Sequence, residues 1–324
     1  MRPVPVTILG GSDRKPGSMP ESGSSLHPLA TYKGVAVQVD GRPLIGLLVE
    51  RLLASRAFGP VTIAGPARVY ASLGLETRIV DTDAGVAQNL RAAIEARAAG
   101  EPMAVLACDV LPSTAELVEL RARYEEAAPC ALWLPFVRVP RDRQALGAFA
   151  WKPRYALVLA SGEIVRILPG HLGIFEPSAL RLPLLYRLFD CAYRTRNHSV
   201  AHRRKVMLRT VLASLVLQDL KLLASLKVPS RTLTIVQSGL RLAHELRAGR
   251  IRLAELEQLT GRIFLRQHRP SSAPERGVRY PILDTISLAE DIDTEEEARA
   301  LHEVMGVRPG VVPHQVTPGR LEDV

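Results

Sequence analysis

Between residues 4 and 136, short apolar runs alternate with helical stretches, and this alternation narrows the fold more than any other feature of the chain. The runs at 4–9, 61–64 and 103–107, with another across 130–136, have the length and apolar character of buried strands, and 78–80 is a shorter strand-like run. Between them, residues 44–55 place Leu44, Leu47, Leu48 and Leu52 on one helical face, and 86–99 and 114–126 read as further helices. A βαβα order of this kind predicts a three-layer α/β fold with a mostly parallel sheet and ligands at the carboxyl ends of the strands.

The smaller features fill in this frame. Residues 12–28, rich in Ser, Pro and Gly, read as a loop. Residues 35–39 read as a short extended piece before the turn at Asp40-Gly41, after which Pro43 opens a helix. In the second half, a hairpin is expected over 155–159 and 163–167 around Ser161-Gly162, with a strand at 171–175. From 178 to about 264 the chain reads as helical, its last helix at 253–260 closed by Gly261, and 269–276 is a polar linker. Thr294 is placed to cap a final helix over 295–305. The expected organisation is an α/β unit of residues 1–177 and 278–310, a helical insertion and linker at 178–277, and a tail at 311–324.

Charge and composition limit the partners. The 324 residues carry a formal charge of +9, so anionic ligands are favoured. Aromatics are only 5% of the chain and no nucleic-acid module is recognisable, so no nucleic-acid partner is expected. Cys108, Cys130 and Cys191 are widely spaced and odd in number, against a disulfide framework or zinc site. No signal-peptide core opens the chain and no uncharged apolar run approaches the roughly 20 residues of a membrane span, so a cytoplasmic location is expected. The basic stretch over 203–227 can lie on a membrane surface or pack against the α/β core, and packing is the commoner fate. His198 and His202 are four apart but lack an HExxH context, and with the arginines around them they read as a solvated helix start.

Three separated fragments carry the chemistry. Leu9-Gly10-Gly11 follows a strand and can wrap phosphate oxygens in backbone N–H groups. Asp109, in Ala107-Cys108-Asp109-Val110, ends a buried strand, where a carboxylate is costly unless paired or metal-bound. Asp293, in Asp291-Ile292-Asp293-Thr294, is the second carboxylate, and helix-start chemistry also explains it. Lys33 can reach a phosphate as a mobile point charge. A glycine turn with two carboxylates suits a Mg²⁺–nucleoside triphosphate. Neither the Rossmann GxGxxG spacing nor a Walker P-loop is present.

Together these fragments resemble the MobA-like nucleotidyltransferases, the family of molybdenum-cofactor guanylyltransferase on a GT-A-like α/β fold. The family's opening glycine pattern is similar to Ile8-Leu9-Gly10-Gly11, and its following apolar strand and GxPLI motif to Lys33 through Asp40-Gly41-Arg42-Pro43-Leu44-Ile45. Asp109 resembles its metal aspartate, Asp291-Ile292-Asp293-Thr294-Glu295-Glu296 its late acidic signature, and Asp83 through Asn89 a nucleotide-contacting segment. Asp13 stands where the family has glycine, and Lys15 would take the place of its arginine. The resemblance implies a Mg²⁺-dependent transfer of a nucleoside monophosphate from an NTP to a small, often phosphorylated acceptor. Leu9, Gly10, Gly11, Lys15, Lys33 and Asn89 would bind nucleotide, Asp109 and Asp293 would bind Mg²⁺, and Asp109 and Lys33 would be catalytic. A GT-A glycosyltransferase and a non-catalytic binding protein of the same fold remain the alternatives.

Overall fold

Val6 and Ile8 of the first apolar run are fully buried. The computed structural model accounts for this by placing their strand between two parallel neighbours, inside a sheet covered on both faces. It describes residues 3–11, 32–97, 100–140, 155–195, isolated positions between 202 and 215, 231–266, 276–292, 297 and 299. In chain order the elements are β1 (Val4–Leu9), α1 (Lys33–Ala36), β2 (Gln38–Val39), β3 (Arg42–Pro43), α2 (Leu44–Ser55), β4 (Phe58–Gly65), α3 (Ala67–Tyr70), β5 (Arg78–Asp81) and α4 (Val86–Glu95). There follow β6 (Met103–Ala107), α5 (Thr114–Ala127), β7 (Cys130–Trp133), β8 (Phe136–Arg138), β9 (Tyr155–Val158), β10 (Ile164–Pro169), β11 (Leu172–Phe175), α6 (Leu182–Arg194), α7 (Arg231–Ala248), α8 (Leu253–Phe264), β12 (Gly277–Arg279) and β13 (Ile282–Leu283).

The main sheet has seven strands in the order β12-β7-β11-β6-β1-β4-β5. Its pairs are parallel except at β11, which runs antiparallel to both β6 and β7. The chain steps from β1 outward to β4 and β5, then returns to β6 on the other side of β1. The connections after β1 and β6 therefore leave in opposite directions and open a crevice at the carboxyl ends of these strands.

Two apolar clusters make this a three-layer structure. On one face Val6, Ile8 and Ile63 pack with Leu44, Leu48 and Leu52 of α2 and Leu117 and Leu120 of α5. On the other, Ala64, Met103 and Leu132 pack with Leu90 of α4 and Leu256 and Leu259 of α8. Each fully buried leucine or isoleucine contributes on the order of 1.5–3 kcal/mol. The expected three-layer, mostly parallel α/β class is what the chain adopts.

Some elements differ from expectation. Residues 35–39 are not one extended piece: a single helical turn, α1, precedes β2, and Asp40 (φ 50°) and Gly41 (φ 74°) form the turn into β3. The run 130–136 breaks after Trp133. Leu134 N–H donates to Arg279 O and Phe136 N–H to Pro281 O, so the chain passes from β7 in the main sheet to β8 in a second sheet, β13-β8-β10-β9. Gly261 does not close its helix. It is buried inside α8, because Ile263 continues the apolar face beyond it. The helix at 86–99 ends at Glu95. The serine start of α5 is a capping box: Ser113 Oγ accepts from Glu116 N–H, and the Glu116 carboxylate accepts from Ser113 N–H at 2.6 Å. The expected cap at Thr294 lies outside the described residues. No helix among the described residues is long and apolar enough to cross a membrane.

Candidate active site

Leu9 pairs with Ala64 on one side and with Ala107 on the other. The Gly10-Gly11 turn and the Cys108-Asp109 segment therefore leave adjacent strands at the same height, on either side of the crevice. Gly10 N–H donates to Ala64 O at 2.9 Å, and the buried Tyr70 hydroxyl donates to Gly10 O at 2.6 Å. Burial raises the Tyr70 pKa far above the ordinary phenol value, so the group stays protonated and remains a donor. A Cβ on Gly10 would stand 2.7 Å from the Tyr70 oxygen, and one on Gly11 would stand 2.3 Å from Asn89 Nδ2. Both glycines are thus required by close approach.

Asn89 is completely buried behind this turn. Its Oδ1 accepts from Thr82 Oγ1 at 2.9 Å and from the backbone N–H of Ala84 at 3.3 Å. The Ala84 donor fixes the amide orientation, so Nδ2 faces Gly11, with no hydrogen-bond partner among the described residues. Nearby, Arg68 donates to Tyr32 Oη and Asp83 Oδ2, both at 2.6 Å, which ties the residue before Lys33 to the segment leaving β5.

On the other side of the crevice, α1 delivers Lys33. Gly34 lets this turn press against Ile45 and Cys108, where an added Cβ would stand 3.2 and 3.4 Å from their side chains. Lys33 is buried, and its Nζ lies 2.8 Å from Asp109 Oδ2. Beyond Asp109, Val110 and Leu111 are fully buried and the Arg51 guanidinium donates to Leu111 O at 2.8 Å. The neighbouring Cys108 is not a nucleophile, because burial and then the Asp109 charge push its thiol up to about 12.

Two further side chains converge on Asp109. His171 stands immediately before β11, and Asp291 follows the turn at Ile286–Leu288. His171 Nδ1 lies 2.8 Å from Asp291 Oδ1 and 4.0 Å from Asp109 Oδ1. One ligand atom from each of the three residues falls within 4.8 Å of the others. Asp109 gives Oδ2 to Lys33 and keeps Oδ1, which is buried without a hydrogen-bond partner among the described residues. The three side chains are 21%, 27% and 20% exposed, so a ligand can reach them from a partly shielded rim. A buried carboxylate oxygen of this kind, facing a second carboxylate and an imidazole, fits a divalent cation.

Backbone hydrogen bonds fix the spacing. Ala107 N–H donates to His171 O (3.1 Å), His171 N–H to Leu288 O (2.7 Å), and Ile292 N–H to Asp109 O (2.8 Å). Leu288 and Ile292 are fully buried and anchor the late acidic segment on either side of Asp291.

Leu9, Gly10, Gly11, Lys33, Asn89 and Asp109 thus gather at one crevice. Lys15 and Asp293 lie outside the described residues. Asp291, from the same fragment as Asp293, joins the cluster. His171 went unnoticed in the sequence, where its only signal was a lone histidine opening a four-residue apolar run.

No protein-family model matches the sequence, and no curated protein sequence matches it. Among solved structures, a hypothetical transferase from Thermus thermophilus is 20% identical with a TM-score of 0.55, covering 91% of this chain and 99% of its own. CMP:2-keto-3-deoxy-manno-octonic acid synthetase complexed with CTP is 12% identical, TM-score 0.41, covering 65% of this chain and 86% of its own. A 4-diphosphocytidyl-2C-methyl-D-erythritol synthase from Anaerococcus prevotii is 8% identical, TM-score 0.36, with coverages of 64% and 83%. The Thermus likeness shows a shared fold along nearly the whole chain.

Proposed function

We propose that this chain is a nucleotidyltransferase that moves a nucleoside monophosphate from an NTP to a small, anionic acceptor and releases pyrophosphate. The observation that carries this reading is the Lys33–Asp109 pair, 2.8 Å apart, at the mouth of the switch-point crevice beside a tightly held glycine turn. With the Gly10 N–H given to Ala64 O, the Gly11 N–H of this turn faces phosphate oxygens, and the Lys33 ammonium adds a positive charge at the same rim. The acceptor oxygen forms a bond to the α-phosphorus, and the bond from that phosphorus to the bridging oxygen breaks, leaving its electron pair on pyrophosphate. A phosphate or carboxylate acceptor is already an anion at neutral pH, so no side chain has to remove a proton. Orientation and electrostatics then carry the rate.

Asp109 and Asp291 are the carboxylates that would hold the Mg²⁺ implied by this chemistry. When bound, the ion supplies charge neutralisation for the phosphate oxygens. Asn89 acts from behind the turn, and Lys15 is a second candidate for the triphosphate.

Calorimetric titration of ATP, CTP, GTP and UTP, with and without Mg²⁺, tests the reading on wild type and Asp109→Asn. The expected result is Mg²⁺-dependent binding of one NTP, weakened in the variant. Absence of binding by all four would overturn it, and tighter binding of UDP-glucose or GDP-mannose, titrated alongside, would turn the assignment to glycosyl transfer.

A further inference from the structure

We propose that His171 is a third cation ligand at the Asp109–Asp291 site, and that it makes the site prefer Mn²⁺-type ions to Mg²⁺. The proposal deepens the nucleotidyl-transfer reading by naming the ion class. Because ion binding is measured without nucleotide, the two readings can fail separately.

Mg²⁺ prefers oxygen ligands in near-ideal octahedral geometry and usually keeps several waters, whereas imidazole nitrogen favours first-row transition-metal ions, of which Mn²⁺ is the one that also suits carboxylates. His171 turns Nδ1 to Asp291 Oδ1 at 2.8 Å and towards Asp109 Oδ1 at 4.0 Å. An ion among these atoms takes the Nδ1 lone pair, which requires the ring proton to sit on Nε2. Lys33 already holds Asp109 Oδ2, so Oδ1 is the oxygen left for the ion. One divalent ion balances the charge of the two carboxylates.

The frame supports a preformed site. Each corner is tied to another through main-chain atoms: Ala107 N–H to His171 O, His171 N–H to Leu288 O, and Ile292 N–H to Asp109 O. The spacing of the three segments is thus set by main-chain bonds. The three residues also come from three separate segments, which makes the convergence a product of tertiary structure and not of one acidic loop.

The test is Mn²⁺ binding to the nucleotide-free full chain, read as loss of the free-ion EPR signal, with Mg²⁺ as competitor. One Mn²⁺ site is expected, displaced by Mg²⁺ only at about tenfold or greater excess. His171→Asn replaces imidazole with an oxygen donor. It should weaken Mn²⁺ by about tenfold or more and shrink the preference over Mg²⁺. Wild type that binds neither ion, or that does not discriminate between them, overturns the proposal, as does a folded His171→Asn that keeps wild-type Mn²⁺ affinity. A purely structural histidine would change the melting temperature of the apo protein but not this ratio. Pulsed EPR of Mn²⁺ on wild type gives a readout that needs no variant: coupling to a ¹⁴N nucleus is expected, and its absence overturns the assignment. NTP calorimetry separately decides the transferase reading.

Discussion

The two sides of the crevice are held in opposite ways. On the glycine side, buried side chains grip a backbone turn: Tyr70 bonds Gly10 O, and the Asn89 amide presses on Gly11. On the carboxylate side, backbone bonds set the positions from which Asp109, His171 and Asp291 project. The difference separates where the fold is sensitive from where the chemistry is. Substitutions at the glycine turn should damage structure first. Substitutions in the cluster should remove function and leave the fold nearly unchanged.

The largest contrast should come from Asp109→Asn. The amide can still accept from Lys33, so the melting temperature should stay within a few degrees, while turnover should fall by about a hundredfold or more. A large loss of stability in a thermal scan would break the comparison. Next, Gly11→Ala forces a methyl group to 2.3 Å from Asn89 Nδ2 and should cost about 1–3 kcal/mol in denaturant unfolding. Pairing it with Asn89→Ala sharpens the point: if the clash is the cause, the double variant should recover part of the loss, and strict additivity would remove Asn89 from the account.

Tyr70→Phe removes one bond to Gly10 O and should cost about 1 kcal/mol with little effect on cation affinity. The smallest effect concerns Cys108. Its raised pKa, about 12, keeps the thiol protonated near neutral pH, so iodoacetamide should modify it far more slowly in the native than in the unfolded chain at pH 8. Because the folded value lies above the unfolded one, this thiol's contribution to stability is intact below the unfolded pKa. It is lost as pH rises through the folded value. Rapid native labelling at Cys108 would mean that the segment beside Asp109 opens readily.

How much of this was legible in the sequence depended on whether the signal was local. The strand over 103–107 appears with its expected bounds because five apolar residues run up to Cys108-Asp109. Asp109 stood out for the same reason. The glycine turn was legible, but its cause was not: Tyr70 and Asn89 lie far along the chain, and neither carries a local mark of its contact. His171 was invisible because a histidine opening a strand has many ordinary explanations, and only the pairing of β11 with β6 brings it to Asp109. Within Asp291-Ile292-Asp293-Thr294, the buried Ile292 and its bond to Asp109 O place Asp291 at the cluster. That anchoring is a tertiary fact that spacing alone did not carry.

The reversed strand has a consequence for how such a site could be rebuilt. In a wholly parallel sheet, every residue at the working rim lies just after a strand, at the mercy of the loop that follows. Because β11 runs the other way, His171 reaches that rim just before its strand begins. Its place is set by a pairing frame in which Leu172 lies opposite Leu106 and Ile174 opposite Ala104. A shift of one residue in that frame would exchange the buried faces of β11 and carry His171 away. The segment just after Phe175 could then be lengthened or shortened without moving this corner of the site, whereas one residue inserted between His171 and Leu172 would be enough to dismantle it.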